Sequence, residues 1–161
     1  MKIATPLGPV VVRPEAPSDD DFRLALFAQS RPDLAVLPAE VRATLVPMQF
    51  RAQTLGYRAH FPAARDEIIE LDGRPVGRIV CDRSAGVLYL VDIALLAEMR
   101  SKGLGSAILR ALMGAAGTGM RLRVANGNPA ARRLYRRLGF VVVEQQYADA
   151  VMEWHAPVEG A

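Results

Sequence analysis

An apolar run from Val87 to Leu96 gives way to the string Arg100-Ser101-Lys102-Gly103-Leu104-Gly105, and a helix pattern begins at once. Leu104, Ala107, Ile108, Ala111, Leu112 and Ala115 recur at the spacing of an amphipathic helix. No other stretch constrains the fold as strongly. Strand, basic glycine turn and helix in direct succession imply an α/β layer and make a place for an anion. The first amides of a helix have no partner within it, and they carry the positive end of its dipole. Gly103 and Gly105 let an anion come close to the backbone, and Arg100 and Lys102 add charge at the rim. Two familiar phosphate loops are excluded. No G-x-x-x-x-G-K-[ST] string occurs, and the third glycine of G-x-G-x-x-G is replaced by Ile108. On this stretch alone, a plain strand-turn-helix corner accounts for the same residues equally well.

The chain has 161 residues, about half of them hydrophobic, which predicts one domain, residues 1–161, with a real core. No apolar run approaches the roughly 20 residues of a membrane span, and Met1 to Pro9 has no apolar leader pattern. A cytoplasmic protein with no membrane partner is therefore expected. Cys81 is the only cysteine, and His60 and His155 stand in no ligand spacing, so neither a disulfide nor a metal site is expected. The net charge of +3 comes almost wholly from arginine, with Lys2 and Lys102 the only lysines, and does not by itself indicate nucleic acid.

Val10 to Arg13 predicts a first strand, ended by Pro14. Ser18-Asp19-Asp20-Asp21 offers caps for a helix over Asp19 to Gln29. Arg31 to Pro38 reads as a loop. A second helical region covers Ala39 to Tyr57, which Pro47 should kink or divide. Beyond Pro47, Gln49, Gln53 and Tyr57 share one face, either a substrate-lining row or an ordinary solvated surface. Glu67 to Leu71 and Pro75 to Cys81 flank Asp72-Gly73, a hairpin signal. Val87 to Leu95 has the apolar character of a central strand. Met120 to Ala125 alternates, with Leu122 and Val124 inward. Asn128-Pro129 starts a helix that stops at Gly139. Phe140 to Glu144 and Ala150 to Trp154 close the chain as strands.

Two motifs in fixed order carry a resemblance. The first is [Q/R]-x-x-G-x-[G/A] at Arg100 to Gly105, and the second is N-x-x-A-x-x-L-Y-x-x-x-G-F at Asn128 to Phe140. Separated by one strand, they resemble the GNAT superfamily of acyl-CoA N-acyltransferases, over nearly the whole chain. The resemblance implies a single α/β domain whose mixed, mostly antiparallel sheet has about six or seven strands flanked by about four helices. It also implies an N-acetyltransferase that moves an acetyl group directly from acetyl-CoA to a primary amine. Amides from Ser101 to Ser106, including those of Lys102, Gly103, Leu104 and Gly105, would hold the pyrophosphate. The strand end Ile93-Ala94-Leu95 would pair with the pantetheine arm. Asn128 would contact the cofactor, and Tyr135 would protonate the departing thiolate. Ser101 departs from the family, which often has glycine there.

The chemistry needs an amine freed of its proton, a site for the oxyanion and an acid for the thiol. With pKa values of about 10.4 for a lysine-type amine, 8.5 for a thiol and 10 for tyrosine, a base and a tyrosine acid fit those needs. Asp92 is the only charge between Val87 and Ala97. It is either the base, with a pKa raised by burial, or a structural aspartate paired with an arginine such as Arg78. Cys81 has no histidine near it in sequence and reads as structural. Arg132, Arg133, Arg136 and Arg137 form a basic patch, of which one or two would approach the 3′-phosphate. Gln49, Gln53, Tyr57 and the loop Arg31 to Pro38 are the expected surroundings of a small-molecule or peptide amine. The closing strands offer an edge for a homodimer. A non-catalytic coenzyme A-binding regulatory module is the alternative reading, and a nucleic-acid binder is disfavoured by the lack of aromatic residues among the arginines.

Overall fold

A computed structural model describes residues 1–160. One eight-stranded sheet is built from β1 (Lys2–Ile3), β2 (Val10–Pro14), β3 (Arg65–Leu71), β4 (Arg74–Asp82), β5 (Leu88–Leu95), β6 (Gly119–Ala125), β7 (Val141–Gln145) and β8 (Asp149–His155). The helices are α1 (Asp20–Gln29), α2 (Pro32–Ala35), α3 (Ala39–His60), α4 (Leu104–Ala116) and α5 (Pro129–Arg137). The strand order is β1-β2-β3-β4-β5-β6-β8-β7. Every neighbouring pair is antiparallel except β5 and β6, the two strands joined through α4. That exception follows from chain length, because only a crossover with a helix can return a strand in parallel.

Local sequence explains the corners. Asp72 and Gly73 are the two residues between β3 and β4, both with positive φ (51° and 74°), as a tight primed turn requires. The Asn128 side chain accepts a hydrogen bond from the Ala131 amide at 3.2 Å, and Pro129 occupies the first helical position of α5. The core lies between α4 and the sheet: Leu104, Ile108, Leu109 and Leu112 are fully buried against Ile79, Met120, Leu122 and Met152.

Three expectations change. The sheet gains the two-residue strand β1, too short to leave a pattern in the sequence. Pro32 to Ala35 forms one helical turn in place of a loop, with Leu34 buried. Of the two outcomes expected at Pro47, division does not occur: α3 runs 22 residues through it. Proline costs one backbone hydrogen bond there, but α3 lies on the surface with none of its residues buried, so the freed carbonyl has access to solvent. Phe50 anchors α3, its ring 5.5 Å from that of Phe27 and 5.2 Å from the Arg23 guanidinium. Among the described residues no helix is long and apolar enough to cross a membrane.

Candidate active site

β5 and β6 pair only at Leu88, Tyr89 and Leu90. Beyond Leu90, β5 stays with β4 and β6 stays with β8, so the two strands part. A bulge marks the point of separation: Val80 opposes Asp92 and Cys81 opposes Leu90, leaving Val91 extra. The sheet thus splits into a slot, a cavity of about 120 Å³ with Asp92, Ile93, Leu122, Asn128, Ala131 and Tyr135 among its walls. From Val91 to Leu95 no strand covers the β6-facing edge of β5, and burial falls accordingly from Leu90 onward.

The slot leads to the head of α4. Arg100 Nε donates to the Leu95 carbonyl at 3.1 Å, tying the turn to the end of β5. The turn bends back through Ser101 (φ 59°) and Gly103 (φ 80°). The first bond of the helix runs from the Ala107 amide to the Gly103 carbonyl at 3.1 Å, and no side chain caps this end. The amides of Leu104, Gly105 and Ser106 therefore precede the helical ladder. Gly105 and Ser106 border a cavity of about 600 Å³ lined by Leu95, Arg100, Ser101 and Gly103 with them on one side and by Arg133, Leu134 and Arg137 of α5 on the other. Uncapped amides with three guanidiniums around them fit a diphosphate carrying a further phosphate. Leu104 is fully buried in the core and does not line this cavity. Lys102 is exposed and Ala94 pairs with Arg78; neither lines the slot or this cavity. A Cβ built on Gly103 would point at Pro6, 3.0 Å away, whereas one on Gly105 would sit between Leu95 and Leu134 at the cavity wall.

Asp92 and Tyr135 meet at the slot. Tyr135 is 8% exposed, packs against Phe140 with ring centroids 5.7 Å apart, and has its pKa pushed up to about 12 by burial and then by the Asp92 charge. Burial raises the pKa of Asp92, against the pull of Arg78, whose Nη1 is 3.7 Å from Asp92 Oδ2. Arg78 is itself buried and also pairs with Asp66. Asp92 is thus paired with Arg78 and also lines the slot. Asn128 lines the slot too, but its side chain is already engaged as the α5 cap. Cys81 is fully buried and its thiol is pushed up to about 12, so it offers no thiolate.

On the other side of Val91 a cleft of about 670 Å³ opens between the end of α3 and strands β5 and β6. Tyr57 reaches it, and burial followed by the Asp92 charge raises that hydroxyl's pKa. Tyr57 also lines a second cleft, of about 330 Å³, with Thr54, Asp66 and Arg78. Gln49 and Gln53 line neither cleft, nor does any residue of Arg31 to Pro38. The sequence reading missed His60, Phe61 and Tyr89, which complete the larger cleft with Arg123 and Asp149. Ending α3 at Tyr57 hid the signal, because Tyr57 and His60 fall at i and i+3 on one helix face and Phe61 is the cap that ends it. Among the described residues no cluster of His, Cys, Asp or Glu is placed to hold a metal ion.

A split sheet with an uncapped helix end at its mouth defines an α/β domain with a place for an extended anionic ligand. A family model, the acetyltransferase (GNAT) family, matches residues 34–140, and the chain belongs to that family. Among solved structures, it resembles the PaiA N-acetyltransferase of Thermoplasma acidophilum in complex with coenzyme A, at 18% identity and a TM-score of 0.68 over 91% of this chain and 99% of that one. An acetyltransferase from Thermus thermophilus matches at 20% identity and a TM-score of 0.68, over 97% of this chain and 100% of that one. A spermidine N-acetyltransferase from Vibrio cholerae, in complex with coenzyme A and spermine, matches at 18% identity and a TM-score of 0.62, over 91% and 95% of the two chains. None of the curated proteins compared by sequence is a match.

Proposed function

We propose that this chain transfers an acetyl group from acetyl-CoA directly to a primary amine. The observation that carries the reading is the continuity of the site: uncapped α4 amides at one end of the slot, Asp92 and Tyr135 at the other. The donor supplies a thioester. Amides of Gly103, Gly105 and Ser106 hold its diphosphate, Arg133 and Arg137 meet the 3′-phosphate, and the uncovered edge of β5 aligns the arm toward Tyr135. The unpaired β5 edge also faces the acyl oxygen with amide donors. Asp92 takes the proton that the amine nitrogen must lose, directly or through one water. As the carbon–nitrogen bond forms and the carbon–sulfur bond breaks, Tyr135 gives its proton to the leaving sulfur. That proton passes from Asp92 through solvent to the Tyr135 phenolate, and the extra proton of an incoming ammonium leaves to solvent before attack, so both residues end as they began. With its pKa near 12, Tyr135 keeps that proton at any working pH. The lone buried Cys81 thiol suits a reducing compartment, and we place the enzyme in the cytoplasm.

Two measurements test this reading. Calorimetry with acetyl-CoA should give a micromolar Kd, and thiol release should occur with at least one member of a broad amine panel. Tyr135→Phe should lower kcat far more than it changes Kd for coenzyme A. Binding without release across the panel would leave a non-catalytic coenzyme A-binding module, and absence of binding would remove both readings.

A further inference from the structure

The cleft beyond Val91 holds more chemistry than proton transfer requires. Tyr57, His60 and Phe61 form one wall, at the end of α3, and Tyr89 forms the floor. The Phe61 and Tyr89 rings pack with centroids 4.8 Å apart and planes inclined by 32°. Arg123 lines the same cleft as Tyr89. The cleft also opens on the donor slot, since Val91, Arg123 and Ala125 line both. The slot that it opens on is the one Asp92 lines.

Charge narrows the occupant further. Asp149 is the carboxylate in the cleft lining, and both its oxygens lie 3.3 Å from Arg123. Arg123 also donates to Gln146 at 2.8 Å. His60 Nδ1 is 2.9 Å from the Gly56 carbonyl, an acceptor, so that nitrogen carries the proton. Asp66, in the neighbouring cleft, is engaged by Arg78. Among the described residues of this cleft, no carboxylate is left over for a second ammonium.

We infer that the acceptor is a primary amine with a single positive charge and one aromatic ring on a short alkyl arm. The inference rests on the acyl-transfer reading above and adds the class of amine. The ring stacks on the Phe61–Tyr89 platform, where offset and tilted aromatic contacts are favourable beyond simple burial. The amine lies at Val91, within reach of Asp92. A polyamine would bring its second cation against Arg123 with no free counter-charge. A plain alkylamine would fill space without using the ring faces.

The test uses the full chain with saturating acetyl-CoA and four amines: 2-phenylethylamine, tyramine, hexylamine and spermidine. Thiol release should give a kcat/KM about tenfold or more higher for the two ring-bearing amines than for the other two. Phe61→Leu and Tyr89→Leu should each reduce that advantage below about threefold, with calorimetric affinity for coenzyme A unchanged. Should Tyr89→Leu fail to fold, Phe61→Leu still decides, because Phe61 is half-exposed at a helix end. Hexylamine or spermidine turned over as well as the ring amines would overturn the acceptor class and leave acyl transfer standing. Release with none of the four, but with other amines of the broad panel, would do the same. Release with no amine at all would overturn both.

Discussion

Asp92 sits where stability and catalysis disagree. Its pKa is raised in the fold, chiefly by burial, so the folded protein holds that proton more tightly than the unfolded chain does. The sign follows: stability attributable to Asp92 falls as pH rises through and above the ordinary carboxylate range, while the base becomes competent over the same span. Asp92→Asn should therefore raise Tm at neutral pH and lower kcat/KM by 10²-fold or more, on the order expected for loss of a general base. Parallel thermal melts and pH–rate profiles check this, and the acid limb of the wild-type profile should vanish in the variant. A lower Tm with an unchanged profile would mark Asp92 as a plain partner of Arg78. Ser101 is a second residue under strain, at φ 59°. A left-handed serine costs about 1–2 kcal/mol, against roughly 0.5–1 kcal/mol for the extra unfolded-state freedom of glycine. Ser101→Gly should raise Tm slightly and keep coenzyme A affinity, as read by differential scanning calorimetry and titration.

At the scale of elements, α4 and α5 act as the two jaws of the donor cavity. Arg133 and Arg137 line it, while Arg132 is spent on Asn126 and Gln145 of the opposite face. The double variant Arg133→Ala with Arg137→Ala should weaken coenzyme A at least tenfold by calorimetry and leave dephospho-coenzyme A nearly unchanged. Equal losses for both ligands would place the 3′-phosphate elsewhere. Much of this element level was legible in the sequence. The Asp72-Gly73 turn, the Asn128 cap and the alternation of β6 depend on neighbours along the chain, and such signals survive without the fold. The row from Gln49 to Tyr57 was only half informative. Tyr57 reaches the clefts, but Gln53 and Gln49, one and two turns earlier, do not. Which part of a helix face meets a cleft depends on where its far end docks, and that is a tertiary fact. Tyr89, Arg123 and Asp149 escaped notice because they converge from three strands.

At the scale of the whole molecule, the sheet is tied at one end and open at the other. Arg13 of β2 bonds bidentately to Asp19 at 2.8 Å for each contact and reaches Glu70 of β3 at 2.7 Å, joining two strands to the start of α1. The Arg13 guanidinium holds the buried Asp19 carboxyl down to about 2. Because that pKa is depressed, the stabilisation is present above about pH 4 and is lost as pH falls toward 2. Asp19→Asn should cost about 1–3 kcal/mol at pH 7, and the gap from wild type should shrink as pH approaches 2 in denaturant titrations. At the other end, β7 leaves Val141, Val142 and Val143 exposed on an edge strand. The splitting of β5 from β6 between these ends was invisible in the apolar run Val87 to Leu95, since the pattern of a buried strand does not record where its neighbour departs.

The proposed acyl transfer depends on the α4 amides receiving the diphosphate while the arm follows β5. The most direct measurement is a backbone amide titration by ¹H–¹⁵N NMR, adding coenzyme A to wild type and to Gly105→Leu, whose side chain would grow into the cavity wall between Leu95 and Leu134. The account predicts saturable shifts concentrated at residues 100–106 and 91–95 in the wild type, and their loss in a folded Gly105→Leu. Saturable shifts elsewhere, or the same shifts in both proteins, would contradict it.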